Sequence, residues 1–209
     1  MSLIVSSESN DKTRTMVPEG PHVARCTAVI DLGTQTQEWK GETKHNRKVL
    51  ISWEFPEITA VFNQEDGEQP LGRSLHYNAS LHEKSTLRKH LAAWRGRQFT
   101  DKELEGFDLK SVLGVPCLAT VMHKKKLDGT VTDRIDNISA LPKGLKCPDA
   151  VNEAYSYTIE NHPTNWDRLP EWVKRQIEES PEYKAIAGAK SAPEEPEQAP
   201  EEETDECPF

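Results

Sequence analysis

The sequence lacks cysteines at short paired spacing. Cys26, Cys117, Cys147 and Cys207 stand far apart, with no C-x-x-C, and the seven histidines are scattered rather than clustered. Structural zinc sites are built from such pairs, so no metal is expected, and no disulfide framework is implied. Cys26 and Cys117 fall in strand-like stretches and read as small buried hydrophobes. No apolar run approaches the 18 or more residues of a membrane span, and the first residues carry no basic region followed by an apolar stretch. A soluble, cytoplasmic protein without membrane contact is the expectation. Also missing are a Gly-rich phosphate loop, a nucleophile elbow and clustered carboxylates; Asp133 and Asp136 around Arg134 read as a surface pair. The chain is therefore expected to be no enzyme and to need no cofactor. Hydrophobic residues make up only 35% of the 209, and the mean hydropathy is -0.74. That is lean for a chain buried along its whole length, so part of it is expected to stay in water.

Positive charge is short as well. The formal net charge is -9, which taken as an average argues against nucleic acid, because phosphate repels an acidic protein. The deficit is local, however. Residues 188–209, GAKSAPEEPEQAPEEETDECPF, hold eight acidic residues against Lys190 alone, a net of -7, whereas residues 22–150 hold 19 Lys and Arg against 17 Asp and Glu. The Pro-, Ala- and Glu-rich tail has nothing aromatic before Phe209 and cannot bury enough surface to offset ordering, so residues 188–209 are expected to be disordered; polar residues 1–20 are read the same way. The folded domain is then 21–146, followed by an extension over 147–187.

Periodicity organises that domain. HVARCTAVIDL alternates as a strand, and Gly33 then allows a bulge or bend. A polar stretch, TQTQEWKGETKHN, reads as a loop, and Arg47 to Phe55 is the second strand, limited by Pro56. Residues 57–72 look like an insertion with a short ITAVF strand, and a third main strand covers Arg73 to Leu81. Leu87, Leu91 and Trp94 then recur at helical spacing, with Ser85 or Thr86 to cap the start and Gly96 to stop the helix. VPCLATVMH and TVTDRIDNISAL are strands flanking KKKLDG, where Asp128-Gly129 signals a two-residue hairpin. In the extension, Pro170 suits a first helical turn, and Trp172, Val173 and Ile177 form a short apolar stripe.

Three strands, a helix and a two-strand hairpin is the order of a five-stranded OB-fold barrel. The expected class is thus mainly β with α, carrying a helix between strands 3 and 4, a C-terminal helical extension and disordered termini. Such barrels bind oligonucleotides through one face and the loops joining strands 1 to 2 and 4 to 5. The first of these loops and its flanks carry Trp39, Lys40, Lys44, Arg47 and Lys48; the second carries Lys124, Lys125 and Lys126. Single strands need cations along their phosphates and flat rings on which bases stack, so these residues, with Trp53, Tyr77 and Arg134, are the candidate contacts. Trp53 lies on an alternating Val49, Ile51, Trp53, Phe55 face, the ordinary pattern of a core, so stacking and packing both stand open for it and for Tyr77. Arg88, Lys89, Arg95 and Arg97 read as a solvated helix surface.

Two resemblances sharpen this reading. The run SLHEKSTLRKHLAAWRGRQFTDKELEGFDLKSVLGVPCLATVMH, with VIDLGTQ and KVLISWEFPE before it and DRIDNISALPKG after it, resembles phage-encoded single-stranded-DNA-binding replication proteins over about residues 20 to 146. The ending Asp205-Glu206-Cys207-Pro208-Phe209 resembles the C-terminal tip of bacterial single-stranded-DNA-binding proteins, with Cys207 where that family usually has Ile. Together they imply an OB-fold that binds single-stranded DNA without sequence preference during phage replication and recombination, and a tip that recruits replication or repair proteins. A pocket would take the Phe209 ring while basic residues pair its carboxylate. Duplex binding is expected only when the tail is removed. The alternative class is a recombination mediator or adaptor that uses barrel and tail for protein contacts. Oligomeric state is left open.

Overall fold

The computed structural model describes residues 15–39 and 41–191. It is mainly β: six strands, β1 (Gly20–Trp39), β2 (Glu42–Val61), β3 (Glu68–Asn78), β4 (Pro116–Lys125), β5 (Val131–Ser139) and β6 (Tyr155–Tyr157), form one sheet. Its order is β3-β2-β1-β4-β5 with antiparallel neighbours, and β6 runs parallel to β1. Helices α1 (Thr86–Arg95) and α2 (Asp101–Glu105) lie between β3 and β4, and α3 (Glu171–Glu179) and α4 (Pro181–Ser191) end the described chain. The expected barrel of five strands is a sheet of six. Among the described residues no ladder joins β3 to β5, so the sheet stays open along that seam.

The shape of β1 follows from two bulges. Its register with β2 slips between Cys26 and Ala28 and again between Asp31 and Gly33. An extra residue swaps the face taken by the side chains that follow. Ala24 and Cys26 therefore join one core with Trp53, and past the first bulge Val29 takes that side while Ala28 and Ile30 enter a second core. This is why HVARCTAVIDL is apolar at both parities. Gly33 has φ 68°, and a Cβ there would lie 2.6 Å from Cβ of Ser180, so the position needs glycine for conformation and for space. β4 pairs with β1 only as far as Arg25. The freed edge at Ala28 to Ile30 is taken by β6.

The first core holds Leu87, Leu91 and Trp94 of α1 against Trp53, Leu75 and Ile135. Gly96 ends α1 in the left-handed conformation, its N–H donating to the carbonyls of Ala92 and Ala93, while Ser85 stands at the N-cap without a side-chain bond. The second core sets Ile30, Leu32 and Leu50 against Tyr157, Val173 and Ile177, and so seats the extension on the outer face of β1 and β2. Buried Glu54 pins the start of the extension, accepting from Val151 N at 2.7 Å and from Asn152 N and Nδ2 at 3.1 and 2.6 Å.

Three local expectations change. The polar stretch after Gly33 is no loop but the outer half of the β1–β2 hairpin, paired from Thr34 opposite Arg47 to Trp39 opposite Glu42. Pro56 does not end β2: the register jumps from Phe55 opposite Leu71 to Thr59 opposite Pro70, and Pro56 sits among the extra residues, where no ladder N–H is required. The Asp128-Gly129 hairpin has a three-residue loop. Lys126 N donates to Thr130 O at 2.8 Å and Gly129 N to Lys126 O at 3.0 Å, with Gly129 at φ 86°.

At one end of the seam, side chains span the gap that a ladder would fill. Arg73 of β3 donates from Nε to Oδ2 of Asp133 on β5 at 2.5 Å, and its Nη2 lies 2.5 Å from the same oxygen. The same oxygen accepts Val17 N at 2.7 Å, and Arg73 also donates to the carbonyls of Gly72 and Thr15. Val17 is fully buried, so the stretch expected to be disordered to residue 20 is ordered from Thr15 onward; residues 1–14, and 192–209 of the tail, lie outside the described residues. Removing one partner of a buried ion pair strands the other charge, at about 3–5 kcal/mol. Arg73→Met is expected to lower the urea unfolding free energy by that amount; a loss under about 1 kcal/mol would show that the pair does not hold the seam.

Candidate functional site

Beyond the Arg73–Asp133 pair, the seam opens into a furrow between β3 and β5. Its wider part, about 950 Å³, has Lys126, Thr132 and Arg134 of the β4–β5 hairpin on one side and Pro170 and Trp172 on the other, with His76 lining it from β3. Past His76 and Arg134 it continues into a second part of about 480 Å³, reached by Asn46, His82, Lys84 and His90. Asp136 is the acidic residue of this second part.

The charges along the furrow are set by burial and pairing. Neither Arg134 nor Lys126 is engaged in an ion pair among the described residues, whereas exposed Lys124 lies 4.0 Å from Asp136. His76 is held below the usual imidazole range by burial, opposed by its hydrogen bond to Gln176 and reinforced by the charge of Lys48. His90 is lowered in the same way, chiefly by burial, with Asp136 opposing and Arg134 adding to it. Burial also lowers Lys48. Trp172 rests against His76 with ring centroids 5.9 Å apart and planes at 52°, and it is 46% exposed although its neighbour Val173 is fully buried.

The residues expected to make contacts fall into several groups. Lys126 and Arg134 meet in the furrow. Tyr77 borders its second part, but the side chain is buried and its hydroxyl is bonded to Nδ1 of His90 at 2.8 Å. Trp53 is corrected outright: at 1% exposure, packed against Trp94 at 5.9 Å, its ring cannot reach a ligand. Arg47 is committed to Asp31 at 2.6 Å and lies 3.8 Å from Glu160, so its charge is already answered. Lys44 pairs with Glu42 at 3.4 Å on the exposed ribbon. Trp39 occupies the last rung of that ribbon, opposite Glu42. Lys40 and the tip Asp205, Glu206, Cys207, Pro208 and Phe209 lie outside the described residues, and Lys125 is an exposed residue at the end of β4.

The helix-side basic cluster is structural rather than free. Arg95 bonds Glu103 and lies over the rings of Phe99 and Phe107 at 4.6 and 4.9 Å, Arg97 pairs with the same carboxylate at 2.7 Å, and Arg88 donates to Leu81 O. These guanidiniums, with the Thr100 backbone, hold Glu103 down to about 2. Cys26 is a free, buried thiol that burial pushes up to about 12, which makes it inert core.

Sequence reasoning missed His76, Lys84 and Trp172. Trp172 carried a usable signal: it precedes Val173 by one residue, about 100° around the helix, so it cannot share a narrow stripe centred on Val173 and Ile177. His76 and Lys84 carry no signal, because only the open seam brings them near Arg134. In comparisons with known proteins, no family model matches the sequence and no curated protein matches it.

The two lowered histidines give a pH dependence. A histidine whose folded pKa lies below its unfolded value near 6.5 binds fewer protons when folded, so stability falls as pH drops through 6.5 towards the folded value. The urea midpoint is expected to decline between about pH 7 and 5.5, above the range in which the Glu103 pairing is lost. In the variant His76→Gln/His90→Gln the decline should flatten; an unchanged slope would locate the effect elsewhere.

Proposed function

We propose that this chain is a non-enzymatic single-stranded-DNA-binding protein built on an OB-fold left partly open between β3 and β5. The observation that carries the reading is the furrow along that seam, an open channel bordered by Arg134 and Lys126, cations without ion pairs among the described residues. Strand order and the helix after β3 support the OB assignment, because that fold is a five-stranded, partly open barrel that binds along one face and through the loops joining strands 1 to 2 and 4 to 5. Here the corresponding connections are the Trp39–Glu42 end of the long ribbon and the lysine-rich β4–β5 hairpin. A flexible strand suits an open furrow, and cations along it suit phosphates more than any one small ligand. The resemblance to phage-encoded replication proteins supports the same substrate and, with it, a role in phage DNA replication and recombination.

The tail belongs to the proposal as a regulator and a recruiting arm. Residues 192–209 hold eight acidic residues and no basic one. Tethered near a furrow of modest positive charge, they compete with phosphate at an effective concentration of roughly millimolar, and their Cys207-Pro208-Phe209 end recruits replication or repair proteins.

A gel shift with oligo-dT tests the binding. Affinity is expected to fall with salt at a log–log slope of about -2 if about three phosphates are neutralised, and Arg134→Glu/Lys126→Glu is expected to weaken binding at least tenfold. A protein that shifts no single strand at low salt would favour the adaptor reading. Removal of residues 192–209 is expected to tighten single-strand binding several-fold at low salt and to admit duplex; equal affinities with and without the tail would remove the competition.

A further inference from the structure

The extension after β5 does more than cover the outer face of the sheet. Val173 and Ile177, both fully buried, fix α3 on β1 and β2, and Gln35 Nε2 donates to the carbonyl of Gln176 at 2.8 Å. Thr34 adds a second tie through Glu182, with Thr34 N donating at 2.9 Å and Oγ1 at 2.5 Å. A helix held this firmly presents its first turn at a set place, and that turn carries Trp172 onto the furrow wall facing Lys126 and Arg134. The indole is nearly half exposed. It makes a tilted ring contact with His76, whose own ring is tethered to Gln176.

A large aromatic ring set in place and nearly half exposed, across a channel from cations without ion pairs among the described residues, has the chemistry of a base-stacking platform. Inorganic phosphate or a simple acidic segment would be served by the cations alone and gives the indole nothing to do. An unpaired nucleotide uses both walls, its base on the ring and its phosphates towards the cations. We propose that Trp172 is a base-stacking residue and that the C-terminal extension thereby completes the single-strand site. This rests on the single-stranded-DNA reading above and places a contact outside the five-stranded barrel, on a helix that joins the sheet through the second core.

The test compares wild type, Trp172→Ala and Trp172→Phe, each as the full chain, for binding to oligo-dT and to an abasic strand of equal length. Loss of the indole is expected to raise the Kd for oligo-dT about 5- to 100-fold, the usual range for one stacked base, with much of it regained in Trp172→Phe. On the abasic strand, with no base to stack, the alanine and wild-type Kd values should agree within about twofold. Thermal melting reports whether the alanine variant keeps its fold. If that variant melts early, Trp172→Phe, which keeps a ring for packing, carries the comparison through its ratio of oligo-dT to abasic affinity. Equal oligo-dT affinities for wild type and the alanine variant would overturn the stacking role and leave the single-strand reading standing. A penalty equally large on the abasic strand would also overturn it, since the indole would then act through the shape of the furrow. Failure of the wild type to bind oligo-dT would overturn the single-strand reading itself and the stacking role with it.

Discussion

Where a ladder would have closed the sheet, one buried ion pair joins its two edges. Arg73 and Asp133 have side-chain exposures of 8% and 1%, a position in which unpaired charge would be costly. The pair is sustained by further hydrogen bonds: Asp133 Oδ2 also accepts the Val17 amide, and Arg73 reaches the Gly72 and Thr15 carbonyls. Two side chains laid end to end hold β3 and β5 further apart than the roughly 4.8 Å of a hydrogen-bonded ladder. The furrow is the consequence. A closed ladder there would have left no channel between Arg134 and His76.

The second constraint is the bulge near Thr27. By exchanging the faces of β1, it gives the strand two apolar sides, Val29 inward and Ile30 outward. The outward side needs a cover, and the chain supplies one with Tyr157, Val173 and Ile177. Once α3 is seated, its first turn sets Trp172 against His76 of β3, so the position of Trp172 follows from a register slip about 145 residues earlier in the sequence. Seam and bulge thus act together: one opens the channel, and the other furnishes its second wall.

Local rules were legible in the sequence where they were strong. Leu87, Leu91 and Trp94 placed α1, and the left-handed Gly96 ended it; Gly33 marked a bend that proved to be a register slip against β2, packed closely on Ser180. The outer ribbon was not legible, because Thr34 to Glu38 pair across strands with no apolar side chain among them, and a hydrophobic period cannot register a strand that has no hydrophobic face. Pro56 misled for a related reason: its missing N–H ends a ladder only where a ladder bond is due. The furrow was least legible of all. His76, Arg134 and Trp172 come from three separate stretches, and no spacing rule joins residues that meet only across an unclosed edge.

Charge shows the same limit in sharper form. The segment 22–150 is nearly neutral by count, and its most conspicuous basic cluster, Arg88 to Arg97, is consumed by the fold: Arg95 lies against two phenyl rings and Glu103, and Arg97 shares the same carboxylate. Arg47, which stood in a plausible binding loop, is likewise spent on Asp31. Arg134 and Lys126, by contrast, line the furrow and have no ion-pair partner among the described residues. What makes a cation available is the absence of an ion-pair partner in three dimensions. At the seam the Asp133 carboxylate is turned inward to Arg73. The interaction that joins the two edges therefore also engages the Asp133 carboxylate, which would otherwise be open to the furrow's cations.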